Sequence, residues 1–102
     1  MQVKESFSRV VERKRYSVKT ATLLASDAYW DGHNWERRGR NSFLYRTPRG
    51  SYFTVSLTQW QGEQDTLQPV SEGDAIELYE GALSEHAVPY EEAFPSVTVE
   101  DA

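Results

Sequence analysis

The sequence predicts an α+β domain: a small antiparallel sheet, with elements in the order β-α-β-β-(β)-α-α, carrying helices packed on one face. Three observations predict it. The turn Thr47-Pro48-Arg49-Gly50 joins two runs rich in aromatic and β-branched residues. Ser71 opens a segment whose apolar residues recur at three-to-four spacing. A similar spacing follows Ser17.

Taken in chain order, residues 1–8 are polar, and Arg9-Val10-Val11-Glu12-Arg13 forms a short strand around its β-branched centre. Ser17 then caps a helix over Ser17–Tyr29, with Val18, Ala21, Leu24, Ala25 and Ala28 on its inner face. Small residues there suit close packing on a sheet. Residues Trp30 to Arg40 hold two glycines, two tryptophans and three arginines with no period of 2 or 3.6, and so read as a loop.

The hairpin Ser42–Gln59 follows. Its turn has Pro where φ is wanted near −65° and Gly where φ becomes positive. A three-residue turn pairs Tyr45 with Phe53 and Phe43 with Val55, whereas a two-residue turn places Ser42 opposite Val55 and Arg40 opposite Leu57. The first keeps the apolar set on one face and is the preferred register. The other face then carries Leu44, Arg46, Tyr52, Thr54, Ser56 and Thr58, polar enough to be exposed.

Trp60 to Gln68 is a polar connection ending in a short pairing segment near Leu67. Ser71-Glu72-Gly73-Asp74 resembles a capping box with Asp at the third position, so a second helix runs from about Glu72 to Ser84. Its buried stripe is Ala75, Ile76, Leu78, Tyr79, Ala82 and Leu83, with Asp74, Glu77 and Glu80 on the outer face. Pro89 begins a short third helix and Pro95 stops it. Residues 1–95 thus form one domain, and 96–102 a disordered acidic tail.

Composition narrows the function classes. The chain has 102 residues, 38% of them hydrophobic, with aromatics (Trp 3, Tyr 6, Phe 4) to fill one modest core. It has no Cys, which removes disulfides and thiolate metal sites and fits a reducing cytoplasm. No apolar run approaches the roughly 20 residues that span a bilayer, and the first residues lack a signal-peptide stretch. A cytoplasmic protein without a membrane partner is expected.

Catalytic motifs are sparse. The only histidines, His33 and His86, match no metal-ligand spacing, so no metal is expected. There is no G-x-S-x-G elbow, no Walker loop and no G-x-G-x-x-G, so neither an enzyme nor a nucleotide cofactor is expected. Paired carboxylates such as Glu91-Glu92 read as a solvated helix face.

Charge is the most uneven property. All 11 Lys and Arg residues lie at or before Arg49, whereas 11 of the 16 Asp and Glu residues follow Gly50. Such asymmetry favours an electrostatic partner, or else is satisfied inside the fold by one half covering the other.

Four pieces in order, Tyr16-Ser17-x-x-Thr20-Ala21, Leu44-Tyr45-Arg46-Thr47-x-x-Gly50-x-Tyr52-Phe53, Pro69-Val70-Ser71-Glu72-x-x-Ala75 and Tyr90-Glu91-Glu92-Ala93-Phe94, carry a resemblance. They are similar to a family of small uncharacterised bacterial proteins of phage-derived and conjugative-element gene sets, with an LYRTxxGxYF hairpin between two helices. The matching motifs, over about residues 10–95, are turn and core residues. The resemblance therefore implies a fold and a genetic setting, and no reaction. The chain departs from the family where Thr54–Trp60 continues as strand instead of turning glycine-rich, and in the Trp30–Arg40 loop.

The function expected is that of a small non-enzymatic accessory or inhibitory protein of a phage or mobile element, binding a macromolecular partner, with protein preferred. Its first candidate surface is Trp30, Trp35, Arg37, Arg38, Arg40, Arg46, Arg49 and Tyr52, because aromatic and Arg residues dominate binding hot spots. The second is the acidic face of Asp74, Glu77 and Glu80. The alternative is a nucleic-acid-binding module in which the same Arg/Trp loop grips phosphate and stacks on unpaired bases.

Overall fold

A computed structural model describes residues 3–27 and 40–102. Strands β1 (Ser8–Val11) and β2 (Lys14–Ser17) form a separate hairpin, followed by a 3-10 turn at Val18–Thr20. Strands β3 (Thr22–Ser26), β4 (Arg40–Arg46), β5 (Tyr52–Thr58), β6 (Thr66–Val70) and β7 (Glu85–His86) build one antiparallel sheet in the order β6-β5-β4-β3-β7. Helices α1 (Glu72–Glu80) and α2 (Tyr90–Ala93) are the α-helices among the described residues. The class is α+β as expected, but the element order is not.

The hairpin β4–β5 has the preferred register. Phe43 pairs with Val55 and Tyr45 with Phe53. The Thr47 amide donates to the Ser51 carbonyl at 2.7 Å, the Gly50 amide donates to the Thr47 carbonyl at 2.9 Å, and Gly50 takes φ +86°. That angle is costly for any residue with a Cβ. Local turn chemistry thus sets the register of the central strand pair. Leu67 is buried on β6, where Pro69 is tolerated because β6 is an edge.

The helix expected over Ser17–Tyr29 is the largest correction. Ser17 ends β2, and Thr22–Ser26 is strand β3, paired with β4 on one side and β7 on the other; Ala28 and Tyr29 lie outside the described residues. A short apolar run does not distinguish strand from helix by period, and two flanking strands supply the ladder that makes strand the better state. The register shifts between Leu23 and Ala25, so Leu24 and Ala25 both enter the core on the helical side. That doubled inward position is what imitated a helical face.

The first strand also ends earlier than expected. Glu12 and Arg13 form the β1–β2 turn, with φ 52° and 69°, instead of continuing the strand. Two consecutive positive φ values suit a two-residue hairpin turn, although Asn-Gly is the usual occupant.

The sheet is covered on both faces, which corrects the expectation of one exposed face. Phe43, Tyr45, Phe53, Val55 and Leu57 pack under the β1–β2 side with Tyr16, Val18 and Leu67. The helices instead cover the face judged polar: Leu44 and Tyr52 join Leu24, Ala25, Ala75, Tyr79, Leu83, Ala93 and Phe94. Two large apolar side chains among hydroxyl residues are enough to seat a helix layer when β3 adds Leu24 and Ala25 beside them.

Helix α1 starts where the capping box placed it, with Ser71 Oγ accepting from the Asp74 amide at 3.1 Å. It stops at Glu80, short of Ser84, because Gly81 leaves helical geometry at φ −119°, ψ −95°. Leu83 still reaches the core, its amide donating to the Leu78 carbonyl at 2.9 Å. Phe94 closes α2, and Val97 packs on the same core with its amide donating to the Phe94 carbonyl at 3.1 Å. No helix among the described residues is long and apolar enough to cross a membrane.

Candidate functional site

The first candidate surface is divided by the fold. Trp30, Trp35, Arg37 and Arg38 lie outside the described residues. Arg40 begins β4, whereas Arg46 ends it and Arg49 stands on the following turn. At about 3.3 Å per residue, a seven-residue strand separates Arg40 from Arg46 by about 20 Å.

Arg40 is engaged at its own end of the sheet. Its Nε and Nη2 donate to the two carboxylate oxygens of Glu63 at 3.2 and 2.6 Å, and its guanidinium lies 5.6 Å from the centre of the Trp60 ring. Glu63 Oε1 also accepts from Thr58 Oγ1 at 2.5 Å. The hydrogen bond from Arg40, followed by that from Thr58, holds the Glu63 carboxyl below its usual range, and Glu63 in turn raises Arg40. Trp60 remains 53% exposed, so this cation–π assembly faces solvent.

Arg46 and Tyr52 serve the interior. The Arg46 guanidinium donates to the backbone carbonyls of Glu92 and of Ala93, the latter at 3.3 Å, and the Tyr52 hydroxyl donates to the Ala93 carbonyl at 3.4 Å. Both therefore satisfy carbonyls that the short helix α2 leaves open. Tyr52 is only 5% exposed, which corrects its place on an open surface. Burial, and then the charge of Glu72, raises its hydroxyl pKa above the ordinary value.

The acidic surface is assembled on the helical side. Glu72, Asp74, Glu77 and Glu80 are exposed along α1, and Glu85, Glu91 and Glu92 are exposed around it. No Lys or Arg occurs after Arg49. Two of these carboxylates also brace the layer: Glu80 accepts from the Tyr90 hydroxyl at 2.8 Å, and Glu72 from the Ser96 hydroxyl at 2.9 Å.

The opposite side of the sheet carries cations. Arg9, Arg13, Lys14 and Arg15 are exposed on the β1–β2 hairpin, with Glu12 the acid among them. Arg9 Nη1 donates to the Leu67 carbonyl at 2.7 Å and ties the hairpin to edge strand β6. Arg13, Lys14 and Arg15 share a cleft with Arg49. The residue types of this grouping were legible in sequence. Its geometry was not, because a hairpin at residues 8–17 had to fold over a turn at residues 47–50.

His86 is occupied structurally. Its ring stacks on Tyr79 with centroids 3.7 Å apart, and its Nε2 lies 2.7 Å from the Tyr79 carbonyl oxygen. His33 lies outside the described residues. Among the described residues, no three His, Asp or Glu side chains gather as a metal site would require. No protein-family model, curated protein or solved structure matches this chain.

Proposed function

We propose that this chain is a small non-enzymatic accessory or inhibitory protein that captures a protein partner by presenting its acidic helical side to a basic surface. The observation that carries this reading is the gathering of acids on the helical side, where Asp74, Glu77, Glu80, Glu85, Glu91 and Glu92 are exposed, while the exposed cations Arg9, Arg13, Lys14 and Arg15 stand on the hairpin. Charges separated in this way project a field outward, attract a complementary partner and speed its approach. Asp74 and Glu77 sit on a regular helix, so they are held at fixed spacing. The genetic setting implied by the resemblance, a phage or mobile element, suits such an inhibitor, because a basic groove of a host protein can be filled by carboxylates standing in for phosphates.

The test compares partners captured by the native chain with those captured by a Glu77→Lys/Glu80→Lys double variant. A partner held through the acidic side is lost on charge reversal and retained by an Arg13→Glu/Lys14→Glu variant. The same partners captured by all three proteins would sink the proposal.

A further inference from the structure

The turn of the β1–β2 hairpin and the turn of the β4–β5 hairpin flank one surface cleft of about 580 Å³. Arg13, Lys14, Arg15 and Arg49 line it, with the hydroxyl residues Thr20, Thr47 and Ser51, and among the described residues no carboxylate lines it. We propose that this cleft binds the phosphate backbone of a nucleic-acid strand without reading its bases. It is a site separate from the acidic side, and it stands whether or not that side captures a protein.

Three features favour this ligand. The cations come from two distant stretches of chain, so the fold itself concentrates positive charge in a protein whose net charge is −5. Arginine forks and hydroxyl donors are the groups that contact phosphate oxygens. Thr47 Oγ1 accepts from the Ser51 amide at 3.0 Å, which turns a lone pair inward and leaves its proton to donate. An acidic protein would be held best around an apolar or aromatic anchor, and the aromatic residue that lines this cleft among the described residues, Tyr16, is buried in the core. A phosphodiester strand needs no such anchor.

The backbone at Arg13 makes the role of its charge testable. Arg13 and Glu12 both hold positive φ, 69° and 52°, where Gly or Asn would sit without strain. This separates the functional role from the structural one by sign: Arg13→Gly relaxes the turn yet removes a phosphate contact.

The experiment measures fluorescence anisotropy of a labelled oligothymidylate strand with the full chain. With one phosphate per cation, a slope of about −0.7 per contact predicts that affinity falls about 50-fold between about 50 and about 200 mM salt. Arg13→Gly and Arg49→Ala each reduce the steepness by about 0.7. Arg13→Gly melts no lower than the native protein, and Glu12→Gly, which relaxes the same turn with every cation retained, binds at least as tightly as native. Absence of binding at the lower salt, or an unchanged slope in Arg13→Gly, overturns the proposal. So does displacement by polyglutamate as effective as by unlabelled strand, which would assign the cleft to acidic peptide. A rise in molecular mass at low salt that Arg49→Glu abolishes would assign it to the acidic side of a second copy.

Discussion

Phe94 is fully buried where Tyr52, Tyr79 and Tyr90 converge, at ring separations of 5.5, 5.4 and 5.2 Å. It joins α2 to α1 and to the sheet through one side chain. Phe94→Ala is expected to destabilise the domain by about 3 to 5 kcal/mol, a large share of the roughly 5 to 15 kcal/mol that holds such a domain folded. Urea denaturation measures this, and a loss below about 1 kcal/mol would mean that the ring cluster contributes little. At the exposed end of β4, Glu63 gives a second prediction. Its carboxyl is held below its ordinary value of 4.5 chiefly by the Arg40 hydrogen bond, so the charged form is favoured in the fold. The interaction is therefore present above 4.5 and is lost as pH falls through the lower folded value. A nuclear magnetic resonance titration should place the Glu63 midpoint below 4.5 and move it upward in Arg40→Ala; equal midpoints in the two proteins would exclude the pair as the cause.

Among the elements, α1 depends on its first turn. The N-cap Ser71 satisfies the Asp74 amide, Glu72 and Asp74 place negative charge near the positive end of the helix dipole, and no basic residue stands in the last turn. Ser71→Ala should cost about 1 kcal/mol, and Ser71→Asp should restore most of it, since aspartate caps as well as serine. Thermal melts of the two variants decide the matter, because a merely steric role for Ser71 would leave Ser71→Asp as unstable as Ser71→Ala. The β1–β2 hairpin has the opposite character. Its turn residues, Glu12 and Arg13, hold positive φ without being glycine, at a cost of roughly 1 to 2 kcal/mol each. The hairpin is retained by the burial of Tyr16 and Val18 over the sheet and by the Arg9 bond to β6.

For the whole molecule, the sheet acts as a partition. It carries a core on each face and stands between the exposed acids around the helices and the exposed cations of the β1–β2 hairpin. Its tyrosines also define an alkaline limit. Tyr45, Tyr52 and Tyr79 are raised first by burial, and Tyr90 first by its hydrogen bond to Glu80. Each favours the neutral phenol in the fold, so the stability it contributes is complete below the unfolded value of 10.0 and is lost as pH rises through the higher folded value. Tyrosinate absorbance should therefore lag in the folded protein and then rise together with loss of circular dichroism. Ionisation of all these tyrosines at their ordinary value, with the fold intact, would contradict that linkage.

The sequence by itself determined what is local. The register of β4–β5 was legible because Pro48 fixes φ in the turn and Gly50 permits its positive φ, and the start of α1 because Ser71 and Asp74 lie within one turn of each other. Tertiary structure decided what depends on distant partners. Thr22–Ser26 became a strand because β4 and β7 pair with it, and the face bearing Leu44 and Tyr52 became interior because the helices settled there. The surfaces followed the same division. The uneven charge was plain in the chain, but Arg46 and Tyr52 were drawn inward by the open carbonyls of α2, while Arg13 and Arg49 were brought to one cleft. Charge composition is additive along a sequence, whereas a field depends on where each charge lies, and only the packing of both layers on the sheet sets those positions.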